Sequence, residues 1–448
     1  TGRSDYPNQV NNVLCFPFIF RGALDVGATE INDAMQLACI DGIARLARAT
    51  TSAEAAAAYK GEQLSFGPDY LIPKPFDPRL MGIVASAVAR AAMETGVATR
   101  PIADLDAYRA RLDGSVFRSA LLMRPVFEAA RATSRRIVFA EGEDERVLRA
   151  ANAMIEETTE VPILIGRPEV VATRCERAGL PIRPGRDFEC VNPENDPRYR
   201  AYWETYHRVM ERRGVTPDTA RAVLRTNTTA IAAVMVHRGE ADCLICGTFG
   251  QYLWHLNYVS QLLADERRRP QGALSLIITE DDPLFLADTQ VHSEPTPEQI
   301  RDAAIGAARH VRRFGIEPRV ALCTHSQFGN LENDSGRRMR AALALMDAAG
   351  LDFAYEGEMT VDLALDPELR GRMFPRSRLE GAANALIFAS SDAASGVRNI
   401  LRMRARGLEV GPILMGMGNR AHIVTPSITA RGLLNVAALA GSPATLYG

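Results

Sequence analysis

The feature that most restricts the fold of this chain is a repeated alternation between short apolar blocks and longer segments of helical periodicity. The apolar blocks are rich in β-branched or aromatic residues and are followed by turn or capping residues. Strands that alternate with helices favour an α/β fold with a largely parallel sheet. The predicted strands are Ile137–Ala140, Val161–Ile165, Leu244–Cys246, Leu274–Thr279, Val320–Thr324 and Ala385–Ala389.

Three segments outside these blocks are predicted as helices. In the first of them, Met35, Cys39, Ile43 and Leu46 share one stripe. A cluster of carboxylates that begins at Glu141 leads into the third, where negative charge suits the positive end of a helix dipole. The predicted helices are Asp33–Arg48, Leu80–Thr95 and Asp144–Glu157.

A change of composition near residues 100–118 predicts a domain boundary. A proline-rich connection (Pro73, Pro75 and Pro78) and a helix of small residues precede it. A polar link then leads from Pro101 to a new strand–helix register at Arg136. We therefore predict one domain over residues 1–115 and a second over residues 116–448.

Composition and charge exclude several classes of protein. The 448 residues include 52 basic and 54 acidic side chains, for a net charge of −2. This balance gives no electrostatic support for nucleic acid or an anionic membrane as a partner. No apolar run approaches the ~20 residues that span a bilayer, which predicts a soluble protein. Seven scattered cysteines argue for a reducing cytoplasm rather than a disulfide framework.

Metal or redox chemistry has weak support in the sequence. The histidines show neither HxxxH nor HExxH spacing, so we predict no metal site in this chain. Cys243 and Cys246 form the only CxxC motif, inside an apolar run that is typical of a strand. Residues three apart on a strand face opposite sides. The spacing therefore favours a buried structural role for both thiols over metal binding or redox work.

The amino-terminal stretch contains several amide side chains just before an apolar run, Val13–Phe20, which we interpret as a strand. A primary amide both donates and accepts hydrogen bonds, so Asn11 and Asn12 suit a carboxylate and a nicotinamide carboxamide at one place. The alternative is that these asparagines simply form a turn.

Residues 1–112 resemble the nicotinamide-binding domain of bacterial malic enzymes. The resemblance lies in GRSDYPNQVNN and CFPFIFRGALDVGA near the start, then in PKPFDPRL and GVATRPI. It implies the end of a Rossmann-like domain in which Asn11 and Asn12 contact malate and NADP or NAD. The family's glycine-rich turn, catalytic tyrosine and lysine, and Mg²⁺ or Mn²⁺ ligands would precede Thr1. Since the sequence starts Thr1-Gly2-Arg3 without an initiator Met, we expect a piece of a longer protein that cannot oxidise malate alone.

Residues from Arg118 to about Ala440 resemble phosphate acetyltransferases. The matching stretches are Arg136–Arg146, Tyr355–Asp362 and Ala383–Phe388, together with Gly411-Pro412 and Gly416. The resemblance implies two α/β subdomains with mainly parallel sheets and a cleft between them. In that family coenzyme A and acetyl phosphate meet in the cleft.

The residues that carry acetyl transfer in that family are replaced here. By ungapped reading from Gly411, the family's serine, arginine and aspartate correspond to Thr425, Pro426 and Gly432. Phe328 stands where a lysine is usual, and Asn257 stands where an arginine is usual. Proline cannot hold a phosphate and glycine cannot act as a base. We therefore expect no acetyltransferase activity.

An active but divergent enzyme is the alternative. Replacement bases would have to come from His255, His325 or His422, although a lone histidine near a strand end is more often structural. The arginine runs Arg212–Arg213 and Arg267–Arg269 are charged surface in most proteins, and either could contact a phosphate of coenzyme A.

Together these features predict the regulatory end of an NADP-dependent, or NAD-dependent, malic enzyme. Its second domain would bind acetyl-coenzyme A as an inhibitor and form a dimer within a homo-oligomer. Rival readings are an active phosphate acetyltransferase and an oligomerisation domain without a ligand. The residues expected to contact acetyl-coenzyme A are Thr324, His325, Ser326, Gly329, Asn330, Asn419, Arg420 and Thr425.

Overall fold

A computed structural model describes residues 8, 10, 14–49, 66–68, 70–73, 77, 79–157, 161–279, 282–404 and 408–443, without the side chains of 113–121 and 156–157. The chain forms two compact units, Thr1–Leu121 and Leu122–Gly448. Within the described ranges, no helix is both long and apolar enough to cross a membrane.

The described part of the first unit is helical, with α1 (Phe16–Asp25), α2 (Asp33–Arg48) and α3 (Arg79–Glu94). The interpretation of Val13–Phe20 as a strand is wrong, because α1 begins inside this run. Pro17 lies in the first turn of α1, where its fixed φ and missing N–H fit a helix start and oppose a strand interior.

Helix α3 packs against both other helices in the core of the first unit. On α2, Met35, Cys39 and Leu46 are fully buried, which confirms the predicted apolar stripe. Gly22 allows α1 and α3 to approach closely, since a Cβ there would lie 2.5 Å from the Ala85 carbonyl oxygen. The polar link predicted after Pro101 is instead mostly a helix, α4 (Leu105–Arg131).

The second unit alternates strands and helices. The strands are β1 (Ile137–Phe139), β2 (Ile163–Ile165), β3 (Glu189–Val191), β4 (Cys243–Cys246), β5 (Gly272–Ile278), β6 (Pro283–Ala287), β7 (Arg319–Cys323), β8 (Ala354–Met359), β9 (Ala385–Phe388), β10 (Leu408–Met415) and β11 (Ala421–Ile423). The helices are α5 (Glu145–Glu157), α6 (Pro168–Arg177), α7 (Tyr199–Met210), α8 (Pro217–Thr226), α9 (Thr228–His237), α10 (Tyr252–Leu263), α11 (Pro297–Arg313), α12 (Asp334–Ala349), α13 (Val361–Leu365), α14 (Pro367–Met373), α15 (Ser391–Arg404) and α16 (Ala430–Gly441).

The strands form two sheets. The first sheet has the order β11-β4-β1-β2-β3, and all its neighbours are parallel. The second has the order β10-β5-β6-β9-β7-β8, in which β6, β9, β7 and β8 are parallel neighbours. The pairs β10–β5 and β5–β6 are antiparallel. The predicted α/β class with mainly parallel sheets is confirmed.

The six predicted strands all coincide with observed strands, to within a few residues at their ends. Strand β4 also confirms the structural role of the CxxC motif. Cys243 packs into the core on one face of the sheet and Cys246 into the core on the other, and both are fully buried. Burial raises the pKa of Cys243 to about 12, so this thiol stays protonated.

Candidate functional site at the carboxyl edges of the two sheets

Three loops meet at the carboxyl edge of the first sheet. Glu141 follows β1, Gly247 follows β4, and Thr425 follows β11. The three strands are parallel neighbours, so their carboxyl ends lie at the same edge. Ligands of open parallel sheets bind at this edge, which makes it the first part of the candidate site.

Glu141 is a buried carboxylate at this edge, with 6% of the residue exposed. Its two oxygens accept from the backbone N–H of Gly247 at 3.1 and 3.2 Å. Burial raises the pKa of Glu141 to about 7, against the lowering effect of these backbone donors. Glu141 therefore holds the β4 loop in place and changes protonation near neutral pH.

Arg146 connects the loops of this edge. Nε and one Nη donate to the carboxylate of Asp144 at 3.0 and 2.6 Å. The other donors contact backbone carbonyl oxygens, at 2.6 Å for Pro426, 3.0 Å for Ile428 and 2.8 Å for Thr248. A guanidinium has five N–H donors, so every one is used.

The residues expected at the family's catalytic positions make only local contacts. Pro426 contributes only its carbonyl, which Arg146 occupies. Gly432 lies in the first turn of α16, where its N–H donates to Thr429 Oγ1 at 3.0 Å. A Cβ at Gly432 would lie 2.6 Å from Ile428 Cδ1. The hydroxyl of Thr425 interacts with that of Ser427 at 3.1 Å.

A second group of predicted residues lies in the loop after β7, at the carboxyl edge of the second sheet. Here Glu358 is fully buried, and its Oε1 accepts from Ser326 Oγ at 2.6 Å, from the Gly329 N–H at 2.9 Å and from Arg340 at 2.8 Å. Asn330 closes the turn by accepting from the Gln327 N–H at 2.8 Å. This internal carboxylate therefore sets the loop conformation.

Phe328 lies in this loop, where the resemblance leads us to expect a lysine. Its backbone is left-handed, with φ +49°, and its N–H donates to the Glu358 carbonyl at 2.8 Å. Its ring packs against Phe374 with centroids 4.6 Å apart. An aromatic ring offers no positive charge for a phosphate, so the loop lacks that element of acetyl-phosphate chemistry.

Of the other predicted loop residues, Thr324 Oγ1 interacts with Ser335 Oγ at 3.1 Å, and His325 is exposed. The structure therefore brings Thr324, His325, Ser326, Gly329 and Asn330 together in one loop. Within the described ranges, no hydrogen bond or salt bridge joins this loop to Thr425 or Pro426.

Asn419 and Arg420 lie at the opposite edge of the first sheet, because they precede β11 whereas Thr425 follows it. Asn419 is buried, and its Nδ2 donates to the Leu439, Ala440 and Ser442 carbonyls at 3.0–3.1 Å. Its side chain thus caps the end of α16. The structure does not bring these two residues together with the other predicted contacts.

The two buried histidines considered as replacement bases are structural. His255 interacts with Thr229 Oγ1 at 2.8 Å and the Phe249 carbonyl at 2.7 Å, so both ring nitrogens are engaged. His422 is fully buried, and burial together with Arg313 and Arg135 lowers its pKa to about 3. A histidine that remains neutral and inaccessible cannot exchange protons with a ligand.

A groove of about 500 Å³ along α10 brings together residues that the sequence left scattered. Its polar lining consists of Arg213, Asn257, Ser260, Gln261, Asp265, Glu266 and Arg269. The groove therefore joins one member of each arginine run to Asn257, where the resemblance leads us to expect an arginine.

Asn11 and Asn12 lie outside the described residues, so their predicted contacts with malate and the nicotinamide stay predictions. Within the described ranges, no group of three or more histidine, cysteine, aspartate or glutamate side chains is arranged to hold a metal ion.

Comparison with known proteins connects the second unit to a family. Residues 121–441 match the family model described as phosphate acetyl/butaryl transferase. The chain belongs to this family. Two solved structures share its fold: a phosphotransacetylase from Streptococcus pyogenes (TM-score 0.65, 23% identity, 72% of this chain and 98% of that chain) and EutD phosphotransacetylase from Staphylococcus aureus (0.63, 22%, 72% and 98%).

Other relatives match nearly the whole length of this chain. It is 53% identical to the NAD-dependent malic enzyme of Rhizobium meliloti (strain 1021), over 98% of this chain and 57% of that protein. It is 49% identical to the NADP-dependent malic enzyme of Salmonella typhimurium (strain LT2), over 98% and 58%. The chain thus resembles the C-terminal part of these enzymes and spans little more than half of their length.

The sequence alone did not identify the residues that organise the candidate site. In the sequence, Glu141 is visible as a negative charge before a predicted helix. Its position directly after a predicted strand also places it at the carboxyl edge of the sheet. Arg146 and Glu358 lie in stretches that match the family, but their contacts with the loops around Pro426 and Ser326 join residues distant in sequence. Such pairings become visible only once the strand order is known.

Proposed function

We propose that this chain is the regulatory end of a malic enzyme, and that its second unit binds acetyl-coenzyme A without transferring the acetyl group to phosphate. The parent reaction would convert malate to pyruvate and CO₂ with NADP or NAD, assisted by Mg²⁺ or Mn²⁺. Similarity to both NAD- and NADP-dependent relatives supports this reaction and leaves the nucleotide open.

The observation that carries the proposal is the state of the first sheet's carboxyl edge. Phosphate transfer needs a cation for the phosphate and a base for the thiol. At the described edge, Pro426 and Gly432 stand where we expect the phosphate-binding cation and the base. Arg146 uses all five of its donors on Asp144 and on backbone carbonyls. A fold of this family without this chemistry suits a binding module.

Regulation would arise if acetyl-coenzyme A bound two subunit arrangements of a homo-oligomer with different affinity. Acetyl-coenzyme A is a downstream product of pyruvate, so inhibition is the expected sign. A dimer formed through the second unit is the arrangement that we propose for the oligomer.

The deciding experiment combines a thermal melt with a turnover assay. We expect acetyl-coenzyme A to raise the melting temperature, because a ligand at a hundredfold excess over Kd stabilises the folded state by about 2.7 kcal/mol. We expect no phosphate-dependent release of free coenzyme A. Release of the thiol would establish an active acetyltransferase. An unchanged melting temperature, with normal oligomers, would favour a domain without a ligand.

Two matched substitutions locate the binding site. His325→Ala tests the loop after β7, and Arg269→Ala tests the groove along α10. Arg267→Ala is the control, because Arg267 lies on the same exposed turn as Arg269 and does not line the groove. The substitution that reduces the shift given by acetyl-coenzyme A identifies which of the two places holds the ligand.

A further inference from the structure

Two cysteines of the first unit lie in contact although no sequence motif links them. Cys15 immediately precedes α1, Cys39 lies within α2, and their sulfur atoms are 3.2 Å apart. The CxxC pair of β4 has the familiar redox spacing, yet its thiols are buried on opposite faces of a sheet. The structure thus places a dithiol where the sequence offered none.

Accessibility distinguishes this pair from the other thiols. All seven cysteines are free, and only Cys15 and Cys190 are not fully buried. Burial raises the pKa of Cys190 to about 11, and its S–H donates to the Gly166 carbonyl at 3.3 Å. Cys15 is therefore a partly exposed thiol whose sulfur lies in direct contact with that of a second thiol.

The two thiols differ in a way that suits consecutive roles. Cys39 has no exposed surface, and burial together with the contact to Cys15 raises its pKa to about 12. Cys39 thus keeps its proton and can donate it toward the sulfur of Cys15. Partial exposure suits Cys15 to attack an incoming disulfide, and the sulfur contact suits Cys39 to resolve the product.

We propose that Cys15 and Cys39 form a thiol–disulfide exchange site for small disulfides of the glutathione disulfide class. The Cys15 thiolate attacks one sulfur of glutathione disulfide, the S–S bond breaks, and one glutathione thiolate leaves. Cys39 then attacks the Cys15 sulfur of the mixed disulfide and gives its proton to the second departing glutathione. Each cysteine loses one electron, and one glutathione disulfide is reduced to two glutathiones.

The movement that bond formation requires is small. A disulfide bond is about 2.05 Å long, so the sulfurs must approach by roughly 1 Å from their present contact. The bond would connect the start of α1 to α2. This inference is independent of the function proposed for the second unit.

The test is peptide mapping of the whole chain after exposure to glutathione disulfide, with the remaining thiols alkylated and no reductant added. We expect a peptide in which Cys15 and Cys39 are cross-linked, lost on treatment with dithiothreitol. The cross-link should persist in Cys190→Ser and disappear in Cys15→Ser. Glutathione retained on Cys15 without a cross-link, or no modification of Cys15, would overturn the proposal.

A second measurement covers the case in which Cys15→Ser folds poorly. Limited alkylation of the unaltered protein should label Cys15 before the other cysteines, and labelled protein should no longer form the cross-link. Preferential labelling of Cys190 would contradict the assignment of Cys15 as the reactive thiol.

Discussion

Arg146 illustrates how an arginine beside a ligand edge can be unavailable to a ligand. Its guanidinium connects the loops after β4 and β11 through the carbonyls of Thr248, Pro426 and Ile428. Nearby Asp144 fixes its orientation through two further hydrogen bonds. The positive charge of Arg146 therefore stabilises the fold at this edge.

We expect Arg146→Lys to lower the free energy of unfolding by about 2–4 kcal/mol, because an ammonium cannot reproduce the planar set of donors and leaves carbonyls unpaired. Chemical denaturation measures this loss. The control is Arg149→Lys on the same helix, where the partner Glu145 is 58% exposed and the expected change is below about 0.5 kcal/mol. Equal losses in both variants would contradict the structural role of Arg146.

Glu141 makes stability depend on pH in the direction opposite to an ion-paired carboxylate. Burial raises its pKa from 4.5 to about 7. Between these values the folded chain holds a proton that the unfolded chain has released. The free energy of unfolding therefore falls as pH rises through this window, by roughly 3 kcal/mol in total.

We expect Glu141→Gln to remove this contribution, so that the variant gains stability relative to the unaltered protein on going from pH 5 to pH 8. Denaturation series at several pH values measure the difference. Glu145→Gln, at a largely exposed position in the same segment, serves as the control. A pH dependence that is identical in Glu141→Gln and the unaltered protein would refute the raised pKa.

At the scale of elements, the loop after β4 passes closely over the segment that follows β11. Gly247 has φ +104°, and a Cβ there would lie 2.3 Å from the Val424 carbonyl oxygen. Backbone atoms cannot move aside as the end of a flexible side chain can. The contact therefore needs glycine for its conformation and for its lack of a side chain.

Alanine substitutions at Gly247 and at Gly214 separate the effect of the backbone conformation from the effect of the close contact. We expect Gly247→Ala to cost at least ~3 kcal/mol, and Gly214→Ala only about 1 kcal/mol. Gly214 also has a positive φ, of 84°, but a Cβ there would meet no atom within 4 Å. Thermal unfolding of both variants gives the comparison. Similar losses would mean that the contact with Val424 contributes nothing.

The elements also show what periodicity can and cannot predict. Buried strands such as β4 are continuous apolar runs bounded by turn residues, and these are visible in the sequence. The apolar run Val13–Phe20, in which α1 begins, has the composition of a buried strand. Only Pro17 indicates a helix start there. The contact between Cys15 and Cys39 depends on how α1 packs against α2, which no local pattern records.

At the scale of the whole molecule, the division into Thr1–Leu121 and Leu122–Gly448 predicts unfolding in more than one step. Leu80 and Leu164 are fully buried, one in each unit. We expect Leu80→Ala and Leu164→Ala each to lose 2–5 kcal/mol and to shift different calorimetric transitions. A single transition lowered by both variants would contradict this expectation.

At the candidate site, the sequence shows which residue types follow the strands but not what surrounds them. Pro426 and Gly432 could be recognised as unsuited to catalysis from residue type alone. That Ile428 fills the space beside Gly432 and that Asn419 caps the end of α16, at the opposite edge of the sheet from Thr425, could not be recognised. Both depend on which loops the parallel strands bring to the same edge.

The buried carboxylate of Glu358 has a consequence for the kind of molecule that its loop can accept. A ligand that bonds to Ser326 or to the N–H of Gly329 has to take that donor from Glu358. The displaced oxygen would then face the newcomer at close range. A group that brings its own N–H or O–H can satisfy that oxygen, whereas a group with acceptor atoms alone leaves it with one donor fewer. We therefore expect this loop to favour ligands that donate hydrogen bonds over ligands that only accept them.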